Sequence, residues 1–89
     1  MRVWFDPNAR AEDGRYWLNC LGTRRDLAAL GVELAVGMRL TLYVEDQNLE
    51  GEWELLLVDA VVEDDGGFVA RVDPETWRRE PAPSGGGPA

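Results

Sequence analysis

The sequence predicts a mainly β protein, a small and strongly curved five-stranded barrel with one short helix. Three observations carry this. Short segments alternate apolar with polar residues, most clearly Met38, Leu40, Leu42 and Val44 interleaved with Arg39, Thr41, Tyr43 and Glu45. Turn chemistry separates the segments, above all Asp64-Asp65-Gly66-Gly67. The run from Trp53 to Val62 changes the parity of its apolar residues part-way, as a strand does where it bends or bulges at a barrel corner. At 89 residues the chain supports one domain, placed at residues 1–80, with four Trp to anchor a modest core. An OB-like barrel and an open α+β sheet are the alternatives.

Residues 2–6 and 15–21 read as two strands joined by the polar loop Pro7 to Gly14. A hairpin pairing Trp4 with Trp17 sets Val3 against Leu18, Phe5 against Tyr16 and Asp6 against Arg15. That register leaves one apolar face, while the other holds the two Trp flanked by Arg2 and Asn19. Thr23 is a candidate N-cap with Asp26 three residues on, and Gly31 a stop, giving a helix over 24–30. Strands are expected at 38–45, 52–63 and 68–72, with Gln47 to Gly51 as a polar connector. Asp73-Pro74-Glu75 opens one helical or 3₁₀ turn, capped by Asp73, and carries Trp77 back onto the core. Residues 81–89 are expected to be a disordered Pro/Gly tail.

The segment from Val36 to Trp77 resembles the SH3-like barrel class. The likeness lies in Val-Gly-Met-Arg-Leu-Thr-Leu-Tyr, a polar loop, a long bent strand, the Asp-Asp-Gly-Gly turn, a short strand and a Pro-containing turn. The opening Val-Trp-Phe-Asp-Pro-Asn, with Gly-Met-Arg-Leu-Thr-Leu-Tyr-Val-Glu-Asp and Asp-Pro-Glu-Thr-Trp-Arg, is also similar to a set of small, uncharacterised bacterial proteins. The Ala-Leu-Tyr-Asp-Tyr opening and paired-Trp strand of proline-binding SH3 domains are missing, so recognition of PxxP peptides is not implied.

Composition removes much chemistry. With no His and no Lys, the commonest general base, every Ser-His or Cys-His pair and every Schiff-base route are gone. One cysteine, Cys20, read as a buried inert thiol, cannot form an intrachain disulfide or build a structural zinc site. Asp6 and Asn8 have a calcium-loop spacing, but Arg10 falls where an oxygen ligand is needed. The expectation is a non-enzymatic protein with no metal, no cofactor and no catalytic residues. No apolar run approaches a membrane span and the polar start shows no secretory signal, so a cytoplasmic location without membrane contact is expected.

The net charge of −8 is uneven. Residues 45–65 carry nine acids and no base, while the remainder holds eight acids against nine arginines. Direct nucleic-acid binding is therefore disfavoured, and Arg24-Arg25 and Arg78-Arg79 read as solvated helix faces. Two sets of binding residues stand out. Trp4, Trp17, Arg2, Arg15, Asn19 and Tyr43 form a candidate aromatic patch for a protein partner. Glu45, Asp46, Glu50, Glu52, Glu54, Asp64 and Asp65 form a candidate acidic face for a basic one. The first makes the chain a protein-binding module or small adaptor. The second makes it an acidic, antitoxin-like inhibitor covering a basic surface of a nucleic-acid-binding protein.

Overall fold

The computed structural model describes residues 1–82. Its elements are β1 (Arg2–Trp4), β2 (Tyr16–Trp17), α1 (Leu21–Leu30), β3 (Arg39–Gln47), β4 (Trp53–Asp64), β5 (Phe68–Val72) and β6 (Arg78–Pro81), with 3₁₀ turns at Glu12–Gly14 and Pro74–Thr76. The strands form one sheet in the order β1-β3-β4-β5-β2, with β6 also alongside β4. The protein is mainly β with one helix, as expected, but the sheet has six strands and is not closed into a barrel. Pro81, expected to begin the tail, is instead the last residue of β6, and from residue 83 onward the expected tail lies outside the described residues.

Strand β4 organises the sheet. One edge pairs β3 without interruption from Trp53 to Val61. The other edge pairs β6 from Glu54 to Leu57, then β5 from Ala60 to Asp64. Between the two, the Asp59 N–H donates to Thr76 Oγ1 at 2.9 Å and its carbonyl accepts the Asp73 N–H at 2.8 Å. The 3₁₀ turn thus fills the gap where β5 ends and β6 begins, satisfying backbone groups there. Leu55 and Leu57 are buried on one face of β4, and Val58, Ala60 and Val62 on the other. The parity change seen in the sequence is real, yet the unbroken β3 register excludes a bulge on that edge. It coincides instead with the change of neighbour from β6 to β5.

The expected β1–β2 hairpin does not form. β1 pairs in parallel with β3, placing Val3 beside Leu42 and Trp4 beside Tyr43. β2 pairs antiparallel with β5, placing Tyr16 beside Ala70 and Trp17 beside Val69. The long loop does not enforce local pairing as a tight turn would. It folds back on β2 instead, through Trp17 N–H to Ala9 O at 2.8 Å and Ala11 N–H to Arg15 O at 2.7 Å. The sorting of faces survives: Val3, Phe5, Tyr16 and Leu18 are all buried in one core with Leu42, Val58 and Val62. Which face a residue takes is a property of its own strand, whatever the partner. Phe5 joins the sheet's ends, meeting Tyr16 edge-on at 5.1 Å and Trp77 at 6.4 Å. Trp77 reaches only the edge of the core through Phe5 and stays 37% exposed, short of the expected return.

Helix α1 starts three residues earlier than expected. Cys20 occupies the N-cap with no side-chain cap, and Gly31, at φ 68°, ends the helix with its N–H bonded to the Ala28 and Leu27 carbonyls. Thr23, the expected cap, is inside the helix and fully buried. Arg78 and Arg79, expected on a helix face, lie on β6, which sequence reading missed because three charged residues and a proline carry no strand periodicity.

Gly22 faces the Trp4 ring so closely that an added Cβ would lie 2.5 Å from Trp4 Cε3. In a free helix Gly→Ala is favourable by about 1 kcal/mol. Here Gly22→Ala is expected to destabilise by about 1–3 kcal/mol through overpacking. Chemical denaturation of the two proteins checks the sign.

Candidate functional site

Trp4 lies on a sheet edge, where its backbone would otherwise face water or another chain. Two side chains of α1 take the place of a neighbouring strand. Asp26 Oδ2 accepts the Trp4 N–H at 2.8 Å, and the Thr23 hydroxyl donates to the Trp4 carbonyl at 2.7 Å. The same Asp26 oxygen accepts the Tyr43 hydroxyl at 2.8 Å. Burial, and then this bond to a carboxylate, pushes the Tyr43 phenol up to about 12. The Thr23–Asp26 spacing that reads as a capping box is therefore a clamp on β1.

The candidate aromatic patch is divided by this topology. Trp4 and Tyr43 are register neighbours, held against α1. Trp17 lies on the strand at the other end of the sheet, and a Cβ on Gly67 would meet its ring at 3.2 Å. The aromatic contacts among the described residues, Phe5 with Tyr16 and Phe5 with Trp77, include neither Trp4 nor Trp17. Arg15 forks between Glu63 at 3.2 Å and Asp65 at 2.7 Å, its side chain 12% exposed. Arg2 pairs with Glu80 at 2.8 Å, and Asn19 is exposed.

The acidic segment is partly neutralised by arginines that the sheet brings to it. Arg79 reaches Asp46 at 2.8 Å and Glu54 at 3.2 Å, Arg78 reaches Asp59 at 3.1 Å, and Arg71 reaches Glu63 at 2.7 Å. The Thr41 hydroxyl and then Arg78 hold the Asp59 carboxyl below its usual range, and Arg71 followed by Arg15 does the same for Glu63. Glu45, Glu50, Glu52 and Asp64 have no ion-pair partner among the described residues. Three of these four belong to the β3–β4 hairpin or its base. Its turn is built by Asn48, whose Oδ1 accepts the N–H groups of Glu50 and Glu52 at 2.9 Å each. Leu49 projects from it fully exposed.

A groove of about 350 Å³ is lined by Arg39, Thr41, Asp59, Arg71, Asp73 and Thr76. Its Asp59 favours the ionised form, the reverse of the tuning a general acid needs. Burial and the Asp6 charge raise the Cys20 thiol, opposing the thiolate a nucleophile requires. Among the described residues no three His, Cys, Asp or Glu side chains are grouped to hold a metal ion, and no helix is long and apolar enough to cross a membrane. No family model, curated protein or solved structure matches the chain.

Two pH dependences follow. Because the folded Tyr43 value lies above the ordinary 10, its contribution to stability is whole below pH 10 and disappears as pH rises towards 12. Ultraviolet titration of Tyr16→Phe should show one late phenol, moved to lower pH by adding Asp26→Asn. For Asp59 and Glu63, whose folded values are depressed, the contribution is whole above the ordinary carboxylate range of about 4 and is lost on further acidification. Glu63→Gln should therefore lose stability near neutral pH and show a shallower acid limb in denaturation measured from pH 6 downward.

Proposed function

We propose that this chain is a non-catalytic protein-binding module whose β3–β4 hairpin covers a basic surface on a protein partner. One observation carries the reading: arginines neutralise Asp46, Asp59, Glu63 and Asp65, while Glu50 and Glu52, beside the exposed Leu49, have no ion-pair partner among the described residues. An apolar tip flanked by two free carboxylates suits a basic surface with a shallow apolar depression. The Leu supplies contact area and the Glu side chains speed encounter. The same field repels nucleic acid. An acidic adaptor or antitoxin-like inhibitor is the functional class, and a reducing cytoplasm suits its single thiol. The run β3–β4–β5 followed by a 3₁₀ turn and β6 supports an SH3-like layout for this half of the chain.

The test uses an immobilised arginine-rich helical peptide as the basic probe. Wild-type binding should weaken steeply with added salt. Leu49→Ala, and separately Glu50→Gln with Glu52→Gln, should each weaken it at least tenfold while changing folding stability by less than about 0.5 kcal/mol, as surface changes do. Binding that ignores salt, or that survives both variants, overturns the reading.

A further inference from the structure

We infer that the hairpin's partner is a second copy of this chain, met on the outer face of α1; the inference rests on the hairpin being the contact element. Helix α1 buries Thr23 and Leu27 and turns Leu21, Arg24, Arg25 and Ala28 outward. At spacings of three, four and seven residues these four share one stripe, with Leu21 and Ala28 along its middle and an arginine on either side. Leu21 is 64% exposed, a large apolar side chain left uncovered by its own fold. Neither Arg24 nor Arg25 has an ion-pair partner among the described residues, although the chain as a whole carries an excess of acids.

The two faces are complementary in kind. The hairpin offers Leu49 with Glu50 and Glu52 beside it; the helix offers Leu21 and Ala28 with Arg24 and Arg25 beside them. Each patch is an apolar centre with unpaired charge of one sign, and the signs are opposite. Because the two surfaces differ, the contact is made either twice about a two-fold axis, closing a dimer, or once, head to tail, repeating from copy to copy. The net charge of −8 opposes association at low ionic strength. At about 0.1 M salt that repulsion is screened beyond about 10 Å, whereas groups in direct contact still attract. The contact is small, so association is weak and concentration-dependent.

Sedimentation velocity across a concentration series at physiological salt tests this. Wild type should show a weight-average mass rising above that of the monomer as concentration increases. Glu50→Arg with Glu52→Arg, and separately Arg24→Glu with Arg25→Glu, should each remain monomeric, with circular dichroism unchanged. Mixing the two charge-reversed proteins should restore association, because each then offers what the other lacks. A wild type that stays monomeric throughout overturns the inference, and leaves the hairpin reading to the peptide-binding test. Loss of association in the hairpin variant alone also overturns it, by placing the partner surface elsewhere. Association unchanged in both variants overturns it too.

Discussion

Strand β4 is hydrogen-bonded along both edges, and the division of those edges governs the rest of the molecule. On one side β3 runs beside it for nine residues. On the other, β6 and β5 share it in turn, and the turn at Pro74–Thr76 bridges the change. A strand flanked along its length can bury both faces at its middle, which is why Leu57 and Val58, adjacent in sequence and opposite in direction, are both fully buried. Neither β5 nor β6 alone is long enough to cover β4.

The sheet's outer strand poses a different problem. β1 has three residues and one strand neighbour. Its open side is answered by a helix, which cannot itself continue a ladder. Thr23 and Asp26 supply one donor and one acceptor, the pair a neighbouring strand would have offered at Trp4. Leaving such a partly buried backbone pair unmet costs on the order of 1–3 kcal/mol per group. The clamp therefore fixes α1 in position, and with it the outward direction of Arg24 and Arg25.

Charge is settled by the same geometry. Most of the cross-strand ion pairs are exposed, and each contributes little to stability. Their larger effect is on the field. By bringing Arg71, Arg78 and Arg79 beside Asp46, Glu54, Asp59 and Glu63, the sheet cancels much of the negative charge along β4. What survives is concentrated at the hairpin turn, where Glu50 and Glu52 have no ion-pair partner among the described residues although Arg79 holds Asp46 and Glu54 at its base. A segment uniformly acidic in sequence thus becomes, in three dimensions, a neutralised strand and a charged tip.

The sequence by itself determined the local features. The alternation of β3, the Asp64–Gly67 turn, the Asp73 cap, the Gly31 stop and the parity switch in β4 are each written within a few consecutive residues, because side-chain direction and turn chemistry depend on the local backbone. Tertiary structure decided who pairs with whom. β1 joined β3 instead of β2, and β6 formed at all, because strand pairing is a contest between distant segments that leaves no local mark. The same holds for the roles of Thr23, Asp26, Arg78 and Arg79. A hydroxyl, a carboxylate and two guanidiniums name possible bonds, and only the assembled sheet brings the matching groups within reach.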